Sequence, residues 1–233
     1  MRFLKDHFFT YLTVLATVFA AVLIGSSLTE TAMTAGETDN FPTVVVIDAG
    51  HGGEDGGAVS KSGVLESQLN LEIALRLNDM LHLLGQDTVM IREADVSVYS
   101  EGAASIAQKK ISDLKNRVQM VRETPNALLV SIHQNMFQEP KYSGAQVFYA
   151  PTETSRELAE AMQARLVASV NPGNRRQAKQ AETVYLMNNI RCPGILIECG
   201  FLSNPEECAK LCTAEYQKQF SIANGVVKSC RPP

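Results

Sequence analysis

Val44-Val45-Val46-Ile47 runs straight into Asp48-Ala49-Gly50-His51-Gly52-Gly53, and few folds accommodate both halves of that stretch. β-Branched side chains pack well on a pleated surface, so the run predicts a buried strand over residues 43–48. The glycines around His51 let the backbone turn sharply with no Cβ to clash. An imidazole is thereby presented at the carboxyl end of a strand, where open α/β sheets bind ligands.

The rest of the chain alternates strands with helices. Glu66 opens a segment whose apolar residues Leu69, Ile73, Leu77, Met80, Leu81 and Leu84 recur at helical spacing and stop at Gly85. Residues 88–91 read as a second strand. Residues 95–108, small and polar, read as an irregular loop. Ile111, Leu114, Val118 and Val121 mark a second helix, ended by Thr124-Pro125-Asn126. Residues 127–132 form another buried strand and deliver His133 at its carboxyl end. A strand over 145–149 leads to a helix with a capping box of Thr154 and Glu157 and a stripe of Leu158, Met162, Leu166 and Val170. Residues 184–187 read as a short strand, and 194–197 as the last core strand, ending on Glu198. Asn204 and Pro205 start a further helix. This order predicts right-handed crossovers in a single α/β domain, with a mostly parallel twisted sheet flanked by helices on both faces.

A chain of 233 residues, 45% hydrophobic, suits one domain with a full core. The formal charge of −4, with no basic block, speaks against a nucleic-acid partner. Arg2 and Lys5 precede an uncharged apolar run over residues 8–25, near the lower limit for crossing a bilayer. An uncleaved signal-anchor over 1–25 is favoured over a cleaved signal peptide, because Met33 interrupts the small-x-small pattern of a cleavage site. Basic residues before the run place the following domain outside the cytoplasm, anchored to the membrane or secreted if cleaved. Residues 26–41 have linker composition, and 42–230 form the domain. Five cysteines cannot all pair within the chain, and the expectation is mostly free thiols with at most one disulfide.

Three predicted strands thus end on His51, His133 and Glu198, while Glu66 opens the first helix. Two imidazoles and one carboxylate suffice to hold a catalytic zinc with its fourth position left to water, and a further carboxylate can hold or relay a proton. Singly, each residue has a plainer reading: a hydrogen-bonding loop histidine, or a glutamate that suits the helix dipole. Glu198 follows Gly-Ile-Leu-Ile, which half-buries its carboxylate and demands a partner for it. His7 and His82 lie away from any strand end and read as structural or solvent-facing. The phosphate-cradling G-x-x-x-x-G-K-[ST] pattern is absent.

Asp48-Ala49-Gly50-His51-Gly52-Gly53, Glu66, Ser131-Ile132-His133-Gln134-Asn135 and Ile197-Glu198-Cys199-Gly200-Phe201-Leu202-Ser203-Asn204 resemble the signature blocks of the zinc-dependent N-acetylmuramoyl-L-alanine amidases (the amidase-3 family), in that family's order. The resemblance implies His51, Glu66 and His133 as ligands of one zinc ion and Glu198 as the catalytic carboxylate. The implied substrate is the amide joining the lactyl group of N-acetylmuramic acid to L-alanine in peptidoglycan.

Ser143-Gly144-Ala145-Gln146 and Tyr185-Leu186-Met187-Asn188-Asn189 are similar to blocks of the spore-cortex, germination-specific amidases. Those enzymes remove stem peptides so that a polysaccharide deacetylase can help convert bare muramic acid to muramic-δ-lactam. A vegetative cell-separation amidase and a non-catalytic, membrane-tethered peptidoglycan-binding module are the competing readings. Asn135 either hydrogen-bonds substrate or braces its loop. Asn188, where many relatives carry Arg, is a candidate substrate contact, and Asp48 a candidate for orienting a zinc ligand from behind. Arg92 and Arg117 either meet stem-peptide carboxylates or form surface salt bridges. Ala49 stands where the family usually has Pro, which loosens the loop.

Overall fold

The strand predicted from the apolar run is present as β1 (Val44–Ala49), buried on both faces from Val45 onward. The computed structural model describes residues 43–224. The anchor expected over 1–25 and the linker expected over 26–41 lie outside the described residues. Among the described residues no helix is long and apolar enough to cross a membrane.

After β1 come α1 (Glu66–Leu83), β2 (Thr88–Met90), α2 (Ile106–Glu123), β3 (Ala127–Asn135) and β4 (Gln146–Tyr149). They are followed by α3 (Glu153–Ser169), β5 (Lys179–Gln180), α4 (Tyr185–Asn189), β6 (Gly194–Phe201), α5 (Pro205–Leu211) and α6 (Ala214–Asn224). The strands form one six-stranded sheet in the order β2-β1-β3-β6-β4-β5. β4 runs antiparallel to β6, and every other pairing is parallel. The helices cover both faces, as parallel strands require.

Alternation along the strands divides the side chains between two cores. Val45, Ile47, Val130, Ile132, Ile195 and Ile197 face the layer of α1, α3, α5 and α6, with Phe220 of α6 fully buried among them. Val46, Leu129 and Leu196 face α2 and α4, through Val118, Val121, Leu186 and Met187. By the same alternation Asp48, Ser131, His133 and Glu198 all point to the α2/α4 face.

Three local expectations change. The helix expected from Ile111 begins at Ile106, because Ser105 and Gln108 form a capping box: Gln108 N–H donates to Ser105 Oγ at 3.2 Å and Ser105 N–H to Gln108 Oε1 at 3.1 Å. The cap of α3 is Thr152, whose Oγ1 accepts from Ser155 N–H at 3.2 Å, so Thr154 lies inside the first turn. The stretch 184–187 is helical. Tyr185 to Asn189 form one helical turn and a half, with Leu186 and Met187 both buried against the α2 side. Cys192, Cys199, Cys208 and Cys212 are free thiols, consistent with the expectation for them.

One polar group sits deep on the α2/α4 face. Asp48, 1% exposed, accepts from Ser131 Oγ at 2.6 Å and pairs with the guanidinium of Arg117, itself 3% exposed. Burial by itself would raise the Asp48 pKa, but the charges of Arg117 and His133 and the Ser131 hydroxyl outweigh it and hold it below the ordinary value. A depressed folded pKa contributes stability that is full above the unfolded value, about 4, and is lost as pH falls through the folded one. Asp48→Asn, which leaves a buried guanidinium short of its counter-charge, is expected to cost about 3 kcal/mol of unfolding free energy. In denaturant titrations the gap between wild type and variant should be widest above about pH 4 and close below it. A loss under about 1 kcal/mol at neutral pH would show that the buried pair is not what holds this face together.

Candidate metal and catalytic site

The site forms where β1 and β3 leave the sheet beside the start of α1. After Ala49 the chain turns through His51, which adopts a left-handed backbone with φ 61°, a conformation a non-glycine residue holds only where its surroundings impose it. Two buried arginines impose it. Arg92 donates through Nε to the Ala49 carbonyl at 2.8 Å and through Nη2 to those of Gly50 at 3.0 Å and Ser67 at 2.8 Å. Arg117 donates through Nη1 to Ala49 O at 3.1 Å and through Nη2 to His51 O at 2.8 Å, with Asp113 on its Nε at 2.6 Å. Neither arginine is on the surface, so the surface salt bridges and stem-peptide contacts considered for them give way to a backbone clamp. Both lie only 3% exposed.

Glu66, 4% exposed at the first position of α1, is the hub. Its Oε1 lies 3.0 Å from His133 Nδ1 and 3.3 Å from His51 Nε2, and accepts from Gln134 N–H at 3.1 Å. Its Oε2 accepts from Ala58 N–H at 2.9 Å. Two glycines make room for the cluster: a Cβ at Gly50 would lie 2.2 Å from His133 Nε2, and one at Gly57 would lie 2.7 Å from Glu66 Oε2. The two imidazoles meet edge to face, 5.1 Å between centroids.

One ligating atom from each of His51, Glu66 and His133 lies within 4.8 Å of the others. Tetrahedral zinc with bonds near 2 Å separates its ligands by about 3.3 Å, close to the two nitrogen–oxygen separations above. The second ring nitrogen of His51 is held as well: Asp55 Oδ2 accepts from Nδ1–H at 3.0 Å, which fixes Nε2 as the inward lone pair. Burial would lower the His51 pKa, yet Glu66 and Asp55 together raise it to about 9. Burial would likewise raise that of Glu66, and His133 and His51 carry it well below the carboxylate range. A cluster this eager to bind protons between its members offers the same donors to a divalent cation, which displaces them. The donor set fits a metal ion.

Glu198 stands beside this cluster, level with His133 on β3 and with Gln146 on β4. The β3–β6 register shifts between His133 and Asn135, a bulge of the kind that re-aims side chains next to a site. The Glu198 Oε2 atom is sealed from solvent and has no hydrogen-bond partner. Burial pushes the carboxyl up to about 7. Such a group holds or releases a proton near neutrality.

The other sequence candidates fall around this centre. Asn135 closes β3, half-buried, and its carbonyl accepts from Leu202 N–H at 2.8 Å. Asp48 touches Ser131 and Arg117, so it reaches the site through the clamp on the His51 carbonyl. The side-chain amide of Asn188 donates to the carbonyls of Ala181, Glu182 and Val184, each at 3.0 Å, which ties down the turn before α4. Val184 and Leu186, with His51, His133 and Asp55, line a cleft of about 100 Å3. Two residues went unread in the sequence. Asp55 lies four positions after His51 in the glycine loop, and Asn70, one helical turn after Glu66, donates to Gly50 O at 3.1 Å and accepts from Gln134 Nε2 at 3.1 Å. Helical spacing from Glu66 was the available signal for Asn70.

The profile of the N-acetylmuramoyl-L-alanine amidases (amidase-3) matches residues 45–229. A germination-specific N-acetylmuramoyl-L-alanine amidase of Bacillus subtilis (strain 168) is 38% identical over 188 residues, spanning 79% of this chain and 78% of that protein. Among solved structures, the CwlD amidase of Clostridioides difficile, in complex with the GerS lipoprotein, has a TM-score of 0.77 at 36% identity, covering 80% of this chain and 96% of that one. An N-acetylmuramoyl-L-alanine amidase of Clostridium difficile 630 has a TM-score of 0.70 at 30% identity over 80% of this chain and 95% of that one. Family match, sequence identity and overall fold thus agree over the same residues, and the chain belongs to the N-acetylmuramoyl-L-alanine amidase family.

Proposed function

We propose that this protein is a zinc-dependent enzyme that hydrolyses the amide between the lactyl group of N-acetylmuramic acid and L-alanine in peptidoglycan. The observation that carries the reading is the pairing of a three-residue donor set, His51, Glu66 and His133, with the partnerless buried oxygen of Glu198. In this reading His51, Glu66 and His133 hold the zinc. When bound, the ion supplies Lewis acidity to the scissile carbonyl and lowers the pKa of water.

The chain's own groups do the rest. Glu198 takes the proton of the attacking water on Oε2 and passes it to the departing L-alanine amine, two transfers suited to a carboxyl that burial raises to about 7. Asp55 keeps the His51 proton on Nδ1. Arg92 and Arg117 keep the loop that carries His51 from relaxing out of its left-handed turn. Asn135, at the end of β3 two residues past His133, remains the candidate for a substrate hydrogen bond, whereas Asn188 acts by shaping the wall that Val184 and Leu186 present.

The 38% identical germination-specific relative and the CwlD structure support a role in spore-cortex maturation. The enzyme would strip stem peptides so that a polysaccharide deacetylase acts on the exposed muramic acid in making muramic-δ-lactam. It would work outside the cytoplasm, held to the membrane by residues 1–25 or released if that segment is cleaved. The complex of CwlD with a lipoprotein supports a lipoprotein partner here too.

Digestion of purified sacculi should release free amino-terminal L-alanine, stop with chelator and resume with added zinc, as read by mass spectrometry of the products. Deleting the gene should remove muramic-δ-lactam from the cortex, and normal lactam content would instead assign the enzyme to vegetative walls. Glu198→Gln should keep zinc at one equivalent per chain while kcat falls about 10²–10⁴-fold; turnover near the wild-type rate would remove Glu198 from the chemistry. Asp55→Ala should weaken zinc about 10- to 100-fold in a chelator competition, and unchanged affinity would show that the His51–Asp55 contact orients nothing.

A further inference from the structure

Beyond the metal ligands, the α2/α4 face of the sheet continues as a row. His133 on β3 is level with Glu198 on β6, and Glu198 is level with Gln146 on β4. Gln146 is 4% exposed, and its Oε1 accepts from Arg176 Nη1 at 3.2 Å. The row that begins with the metal cluster therefore ends in a guanidinium.

Arg176 is held on several sides without being neutralised. Its Nε donates to the Ser143 carbonyl at 3.1 Å, and its guanidinium carbon sits 4.6 Å over the Phe201 ring. Asn174 Oδ1 accepts from its backbone N–H at 3.0 Å. Among the described residues it forms no ion pair, and its Nη2 has no acceptor. Arg156, on the surface, pairs with Glu153 and Glu160, and Arg117 with Asp48 and Asp113, whereas Arg176, like Arg92, meets only neutral oxygens. The carboxylate of Glu207 feels the Arg176 charge, but its two oxygens are occupied by Gly144 N–H at 2.7 Å and Phe201 N–H at 2.8 Å. A half-buried guanidinium with one fixed edge and one free edge is built to receive an anion, and a carboxylate fits that fork best.

Resting on the amidase reading above, we infer that Arg176 binds the free α-carboxylate of the γ-linked glutamate, the second residue of the stem peptide. That carboxylate lies one residue past the scissile amide, with its Cα about 3.8 Å beyond that of L-alanine. Neighbouring strands are about 4.8 Å apart, so Gln146 lies one strand spacing from Glu198 and the free guanidinium edge one hydrogen bond further. The step from the scissile nitrogen through the L-alanine Cα to the next Cα, with the carboxylate carried on it, reaches across that gap of about 8 Å, running outward over β6 and β4 from the cleavage point. Arg176 thereby selects stems whose second residue carries a carboxylate over those in which it is a carboxamide.

The test compares two muropeptides that differ only in that carboxylate or carboxamide, using the zinc-loaded full chain. Wild type should favour the carboxylate in kcat/KM by about 10- to 100-fold. Arg176→Gln should lose that preference through a raised KM on the carboxylate substrate, with kcat held and the carboxamide substrate changed less than about twofold. Arg176→Lys should recover part of the loss, since it keeps the charge but not the fork. Binding of the same muropeptides to Glu198→Gln, measured calorimetrically, should show the same preference without turnover. Equal losses on both substrates in Arg176→Gln would reduce the residue to a brace for the Ser143 loop and overturn the assignment, as would a wild type indifferent to the carboxylate. A wild type that cleaves neither muropeptide overturns the amidase reading itself, and this assignment with it.

Discussion

The site depends on three carbonyls at the end of one strand. When β1 leaves the sheet, the oxygens of Ala49, Gly50 and His51 lose any regular partner just where the chain is most buried. A buried acceptor left bare costs about 1–3 kcal/mol. Arg92 and Arg117 supply the donors, and their rigid forks also dictate where the carbonyls point. His51 is left-handed because its backbone is gripped there. Arg117 is in turn balanced by Asp48 and Asp113. Ala49, in place of the usual proline, loosens little, since both guanidiniums hold its carbonyl.

Around that clamp the sheet acts as a ruler. Register places Asp48 level with Ser131 and His133 level with Glu198, and the period of two sends all four side chains to one face. The row passes from Asp48 and Ser131, through His133 of the candidate metal cluster and the buried carboxyl of Glu198, to Gln146 and Arg176. A slip of one residue in β6 would send Glu198 into the apolar layer under α1 and bring Cys199 to the site. The bulge after His133 ends the regular ladder at the point where the site needs an irregular edge.

The chemistry-bearing side chains were legible because the residues around them are chemically peculiar. A histidine between glycines and a glutamate after four apolar residues have few ordinary explanations. The apolar stripe of α1 and the asparagine cap of α5 were legible for local reasons, a 3–4 spacing and a side chain bonding to its neighbours' N–H groups. Residues 184–187 are too few to distinguish a strand period from a helical one, and Asn188 decides for the helix by bonding backward to three carbonyls. The capping box at Ser105 is local, yet the small polar residues around it give the segment a loop's composition.

What the amino-acid order determined alone was therefore the order of strands and helices, and the positions able to bind a metal or carry a proton. These are set by side-chain shape, spacing and short-range hydrogen bonds, which do not depend on distant residues. Only the tertiary structure decided that Arg92 and Arg117 are buried clamps, that Asp55 rather than Asp48 holds the His51 ring, and that Arg176 ends the row with a free edge. The arginine outcomes turn on burial and on partners up to 69 residues away along the chain, and the Asp55 contact, though four residues from His51, turns on the left-handed backbone imposed there. The same charged side chain, pointed outward, would have been an ordinary surface residue.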